Sequence, residues 1–240
     1  MLRVTRLAAV MLPVVGLLLL LTAQLPAEPI DPLRLAVMSS GAGGIHAVRF
    51  SGVGTLFAAA PASAPGASLI RMPLQRYDAE VDYPSATMRE HLTRVPSPDP
   101  ATGISIAPAP ADVVVTGRDG MEDLVPQAWL TPHGFLKAAR RHRARVRRLD
   151  RETEVSFEYR GQRIVGYLDQ RYQVDRVQTW ERGAGGTPVL VETRYRDYEP
   201  MWGGGRFPRH IIRTHDGQPT LDVWVWAARA NPPARAQKRS

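Results

Sequence analysis

The sequence predicts an α+β protein built on one large, strongly curved antiparallel sheet of ten or so strands, with two helices. Three observations point there. The C-terminal third holds four consecutive runs of β-type residues, VDRVQTWER, PVLVETRYRDYEP, GRFPRHIIRTH and PTLDVWVWAARAN. They are separated by Gly183–Gly186, Gly203–Gly205 and Asp216-Gly217, and short glycine turns between consecutive strands make an antiparallel meander. Helix signals are confined to two places, near 31–44 and 131–142. A long N-terminal strand carries Gly52 and Gly54, and glycine inside a strand marks a bend.

In chain order, residues 1–27 read as a secretory signal peptide. Arg3 and Arg6 form a short basic region, the fifteen residues Leu7 to Leu21 are uncharged and apolar, and small residues follow at Ala23 and Ala27. A membrane-spanning helix needs about 20 apolar residues, so an uncleaved anchor is the alternative rather than the first expectation. Asp31 as N-cap, Pro32 in the first turn and Gly41 or Gly43-Gly44 at the end then mark a short helix. IHAVRFSGVGTLFA is a long strand, and LIRMPLQRYDAEVDY and SATMREHLTRVP form an antiparallel pair turning near Pro84-Ser85. The Pro/Ala/Ser-rich stretches 58–68 and 96–112 read as mobile loops, and VVVTGRDGMEDLV as a hairpin turning at Asp119-Gly120. After the second helix come ETEVSFEY, a turn at Arg160-Gly161-Gln162, and RIVGYLDQRY. One domain is expected over 31–231, with a disordered basic tail over 232–240.

The formal charge of +8 is local. Lys137, Arg140, Arg141, Arg143, Arg145, Arg147 and Arg148 supply +7 of it, and Arg235, Lys238 and Arg239 in the tail supply +3. With Arg3 and Arg6 removed in the signal, the remainder of the mature chain stands at −4. An exported chain has little access to nucleic acid, so the polyanions it meets are lipid headgroups and acidic proteins. No cysteine is present, which excludes lipobox lipidation, disulfides and Cys-ligated zinc.

The basic segment LTPHGFLKAARRHRARVRRLD spans 130–150. Thr131 is a good N-cap, Pro132 a good first helical residue, and Phe135, Leu136 and Ala139 share one helical face. That helix is expected to stop near His142. Beyond it the period becomes two, with Ala144, Val146 and Arg148 pointing one way and Arg145, Arg147 and Leu149 the other. A single recognition helix would present one continuous basic stripe, which this segment cannot. Its arginines mark either a solvated basic edge of the sheet or a contact surface for an anion, made by Arg140, Arg141, Arg143, Arg145, Arg147 and Arg148.

Three segments, SGAGGIHAVRFSGVGT, AWLTPHGFLKAA and YRDYEPMWGGGRFPRHIIRTHDGQPTLDVWVWAARAN, together resemble a known family. It is the exported N-terminal domain that precedes some bacterial metallo-β-lactamase-fold hydrolases. Tyr195, Asp197, Tyr198, Gly204, Phe207, Pro208, Asp222 and Asn231 occupy the places of its motif. The resemblance runs over about 35–231 and implies an open half-barrel, similar to the LolA/LolB-like lipoprotein carriers of the periplasm, with helices on the concave side. Such a sheet holds an acyl chain or a peptide. The hydrolase half does not follow. Its metal site needs a His-x-His-x-Asp-His cluster, and His46, His91, His133, His142, His210 and His215 form none.

No catalytic signature emerges elsewhere. GGGRFP lies between strands and lacks the Lys-Ser/Thr of a phosphate loop. Ser39, Ser40 and Ser51 have no identifiable base, and nothing in their spacing pairs Asp197, Glu199 and Asp222. Trp224 and Trp226 share one face of the last strand with Asp222, while Leu221, Val223, Val225 and Ala227 take the other. One face then packs on the core, and the second meets a helix or forms a contact surface.

The resulting expectation is a non-catalytic exported protein, periplasmic or secreted, with no cofactor and no metal. Its half-barrel holds an apolar ligand or acyl chain against Phe135, Leu136, Trp224 and Trp226, with the 96–112 loop over the mouth. The basic segment steers it to anionic membrane surfaces, an effect weakened by salt. The alternative is an accessory protein-interaction module working with a separately encoded periplasmic hydrolase through the tryptophan or arginine surface.

Overall fold

Pro32 and Gly41 bound the first helix, α1 (Pro32–Ser40), with Gly41 in the left-handed conformation at φ +75°. The computed structural model describes residues 31–58, 69–95, 125–183 and 186–233, together with the backbone of 97–98, 105–106 and 111–115. The N-terminal strands are β1 (Ala47–Ala58), β2 (Ile70–Asp82), β3 (Thr87–Arg94), β4 (Ser97–Pro98), β5 (Ser105–Ile106) and β6 (Ala111–Val115). A 3-10 turn (Gln127–Leu130) leads into α2 (Pro132–Arg141). Then come β7 (Arg145–Arg148), β8 (Thr153–Tyr159), β9 (Gln162–Leu168), β10 (Val174–Arg182), β11 (Pro188–Pro200), β12 (Arg206–His215) and β13 (Gln218–Ala230).

Eleven of the described strands form one antiparallel sheet in the order β6-β3-β2-β1-β13-β12-β11-β10-β9-β8-β7. Each half of the chain is a meander, and the two are sewn together where β1 pairs with β13. β6 and β7 are both edges, so the sheet is an open half-barrel rather than a closed one. The expected bends in β1 are there: the pairing with β13 slips between Ser51 and Gly52, and that with β2 between Gly52 and Gly54. Such slips are β-bulges, which bend and twist a strand.

The expected signal peptide over 1–27 lies outside the described residues, as do the expected loop 58–68 but for Ala58 and the expected tail 232–240 but for its first two residues. Two further expectations fall partly outside them. The turn of the expected 113–125 hairpin is one, and Val125 itself lies in no strand. Within the expected loop 96–112, the backbone forms β4, β5 and the start of β6, so that stretch is not wholly irregular.

Several of the motif residues hold the fold together. Asn231, at φ +48°, accepts from the backbone N–H of His46 (2.8 Å) and Ala47 (3.3 Å) through Oδ1 and donates to the Gly44 carbonyl (3.0 Å). It thereby fastens the end of β13 to the entry of β1. Tyr198 donates to the Val174 carbonyl at 2.7 Å, tying β11 to β10. Asp197 sits at φ +57°, a conformation that aspartate tolerates better than most residues. The glycine hairpin between β11 and β12 also docks on α1: a Cβ on Gly205 would lie 2.7 Å from the Ser40 carbonyl oxygen and from Ile45. Only glycine permits that approach.

The helical layer lies on one face of the sheet. Thr131 caps α2, accepting from Gly134 N–H (3.4 Å) while its own hydroxyl donates to the Ala128 carbonyl (2.6 Å). The helix ends in a Schellman motif, with Ala144 N–H on the Ala139 carbonyl (2.9 Å) and Arg143 at φ +51°. That left-handed residue reverses the chain into the edge strand, and this is why the arginines cannot form one stripe. Beneath the layer, Val48, Phe50, Val81, Val155, Ile164, Val177 and Val223 carry the core, all nearly or fully buried.

Candidate functional site

The covered, inner face of the sheet can be followed strand by strand through the register. Val223 lies opposite Ile211, Ile211 opposite Tyr195, and Leu221 opposite Arg213, which in turn faces Thr193. Arg213 therefore points inward. It lines a small internal cavity of about 20 Å³ with Tyr77, Thr193 and Tyr195 at its polar end and Phe50, Leu130, Ile211 and Val223 among its apolar walls. That volume is roughly one water-sized space.

The polar end has a definite electrostatic arrangement. Tyr77 donates its hydroxyl to Glu90. Burial, followed by the Glu90 charge, pushes the Tyr77 phenol well above its ordinary range. Tyr195 is likewise pushed up by burial, against the opposing pull of Arg213. For Arg213, burial works against the charge, but Glu90, Tyr77 and Tyr195 more than offset it, and its pKa stays above the ordinary value. The guanidinium forms no salt bridge among the described residues. Its Nε, the Tyr195 hydroxyl and the Thr193 hydroxyl are buried without a hydrogen-bond partner. Neither Arg213 nor Glu90 was singled out from sequence. The strand alternation that puts Ile211 inward also puts Arg213 inward, and that was the available signal.

Next to this cavity, His133 of α2 is fully buried, with Nε2 3.2 Å from the Ser40 carbonyl and its ring stacked on Phe207 at 6.0 Å and 8°. A carbonyl only accepts, so Nε2 carries the proton. Desolvation lowers its pKa to about 4, and the ring is neutral at pH 7.

The four residues expected to line a single groove are split by the sheet, which corrects that expectation. Phe135 and Leu136 are 0 % exposed within the core. The Phe135 ring fills the space over Gly166, where a Cβ would lie 2.2 Å from it, and packs on Phe157 at 5.9 Å. Trp224 and Trp226 stand on the opposite, solvent-facing side, 52 % and 49 % exposed, because Val223 and Val225 take the inward positions of β13. Trp202, on the β11–β12 turn, is 79 % exposed. Trp202 and Trp226 border a surface hollow of about 240 Å³ with Glu199, Pro208 and Arg209. Trp224 stacks on His210 at 3.9 Å, and His210 Nε2 meets Asp222 at 2.8 Å. The outer tryptophan face thus meets no helix of the described residues.

The basic segment lies on an edge. All six arginines are exposed, and β7 ends the sheet. Arg147 is engaged by Glu154 (2.7 Å), while Arg140, Arg141, Arg143 and Arg145 form no salt bridge among the described residues. Lysine and arginine on an edge strand discourage pairing with another chain.

Most of the carboxylates and serines considered above have other partners. Glu199 pairs with Arg209 (2.7 Å), Ser51 donates to Asp78 (2.5 Å) and Ser40 donates to the Ala36 carbonyl (2.7 Å). Among the described residues, no group of three or more His, Asp or Glu side chains is placed to hold a metal, and no helix is long and apolar enough to cross a membrane.

No protein-family model matches the chain, and no curated protein matches it in sequence. Several solved structures are similar in chain trace, among them these two. One is a Vibrio parahaemolyticus domain assigned to outer membrane lipoprotein sorting, 12 % identical, with 84 % of this chain and 93 % of that one covered and a TM-score of 0.42. The other is a DUF1329 family protein from Desulfovibrio piger, 9 % identical, covering 85 % and 93 %, with a TM-score of 0.39. Similarity at this level bears on neither ligand nor activity.

Proposed function

We propose that the chain is an exported, non-catalytic binding protein that holds an apolar ligand or acyl chain against the concave face of its half-barrel. The observation that carries this is the set of inward-facing donors around Arg213 in an otherwise apolar interior. Arg213 is half-buried, but its Nε is buried in this interior without a partner, and a core that served packing alone does not require that arrangement. Residues 1–27 act as the export signal, and the basic edge of Arg140–Arg148 meets anionic membrane surfaces. Because the cavity is small, a bound chain parts the 3-10 turn and α2 from the sheet. The test is native mass spectrometry of the mature protein purified from its exported compartment, with displacement of a fluorescent fatty acid alongside. An added mass in the range of a fatty acid or phospholipid is expected; an apo mass with no micromolar binding overturns the proposal.

A second reading is favoured by a separate observation, the exposure of Trp202, Trp224 and Trp226 on the outer face. Tryptophan is enriched at protein interfaces. Here the chain is an accessory module for a separately encoded periplasmic hydrolase. Replacing Trp224 and Trp226 together with alanine is expected to cost about 2 kcal/mol through the packing that their buried halves lose, to leave the protein folded, and to abolish partner recovery in a pull-down. Undiminished recovery of a partner would exclude this surface.

A further inference from the structure

The inner cavity holds a combination that ordinary core packing does not require. Arg213 Nε, Tyr195 Oη and Thr193 Oγ1 are three buried groups without a hydrogen-bond partner among the described residues, and all three residues line the same small space. The Tyr195 and Thr193 hydroxyls are close enough to interact as a hydrogen-bonded pair, but their angles are poor, so neither is well satisfied by the other. Unmatched buried donors are costly and few in native proteins. All three groups can donate and one is a permanent cation, so the matching chemistry is an anionic acceptor.

Glu90 decides which anion. It is a neighbouring carboxylate on this inner face, already accepting from Tyr77 and making no salt bridge with Arg213. Glu90 and the guanidinium already offset each other, so a carboxylate leaves the site with one net negative charge and a phosphate dianion leaves it with two. The carboxylate is the less repelled of the two. A planar carboxylate also matches the fork of the guanidinium, accepting two parallel N–H bonds. The remaining walls are apolar, with Phe50, Ile211 and Val223 beside the donors and Leu130 across from them. We propose that Arg213, with Tyr195 and Thr193, receives the carboxylate of a long-chain fatty acid whose chain lies along Phe50, Ile211 and Val223 towards Leu130.

This rests on the concave face being a ligand site, and the experiment separates the two ideas. Delipidated full-length mature protein is titrated with palmitate, cetyl alcohol and hexadecyl phosphate, each displacing a polarity-sensitive fluorescent probe. Palmitate is expected to bind about tenfold or more tighter than the alcohol, which lacks both the charge and the second acceptor oxygen. In Arg213→Met that preference disappears while alcohol binding is retained, which also reports that the variant is folded. Tyr195→Phe, which removes only a hydroxyl, reduces the preference in part. Equal binding of palmitate and alcohol by the native protein overturns the headgroup proposal and leaves apolar binding standing. Tighter binding of the phosphate overturns the choice of carboxylate. Binding of none of the three overturns the concave-face function and this proposal with it. An ordered water bridging the three donors predicts equal binding of acid and alcohol, and is excluded by the expected result.

Discussion

Replacing Gly166 with alanine is expected to destabilise the protein by about 3 kcal/mol, read as a lower urea midpoint with an unchanged slope. The added Cβ would stand 2.2, 2.3 and 2.8 Å from three atoms of the Phe135 ring. A ring end can sometimes swing aside. This one cannot do so cheaply, because Phe135 is fully buried and Phe157 closes one side of it. Removing the ring by Phe135→Ala is expected to cost about 4 kcal/mol through lost burial and the cavity left behind. The two effects are not independent. Combining Gly166→Ala with Phe135→Leu should cost clearly less than the sum of the single changes, since the smaller side chain vacates the space that the new methyl needs. Strict additivity would mean that the ring does not depend on the missing Cβ. Phe135 is thus an anchor that holds α2 over β9, and only by moving with that helix could it meet a ligand.

Acid is expected to remove about 3 kcal/mol of stability through His133. Its folded pKa is about 4, against an ordinary value near 6.5, and one unit corresponds to about 1.4 kcal/mol. The unfolded chain therefore takes up the proton first. Stability from this residue is fully present above pH 6.5, falls as pH drops towards 4, and levels off below that. Carboxylates titrate in the same window, so the diagnostic quantity is the difference between the native protein and His133→Phe. The phenyl ring keeps the stacking on Phe207 but loses the bond to the Ser40 carbonyl, at a cost of about 1 kcal/mol near pH 7. The variant should be less stable than the native protein at pH 7 and more stable at pH 4. Parallel stability curves would show that His133 is not held neutral by burial.

Much of the fold is legible in the sequence because its signals are local. Thr131-Pro132 starts a helix wherever it stands, and Gly41 ends one, since capping and left-handed backbone involve only a few neighbouring residues. The C-terminal strands are bounded by glycine turns, and alternation within each strand correctly assigned Val223 and Val225 to one face and Trp224 and Trp226 to the other. Alternation also marks the arginine run as an edge strand after a helix rather than a single helix.

Alternation says that two faces differ, but not which of them receives the helical layer. Both faces of β13 are apolar, so the choice between Val223 and Trp224 depended on where α1 and α2 pack, and that is settled by contacts between residues far apart in the chain. Phe135 and Trp224 therefore looked compatible with one groove when a sheet stands between them. The inner cavity escaped for the same reason. Arg213, Glu90, Tyr77 and Tyr195 come from four different strands, and no spacing in the chain brings them together. By itself the sequence determined the elements, their turns and the chemistry of each face. Only the tertiary structure decided which face is inside, because burial is a property of what packs across a strand and not of the strand.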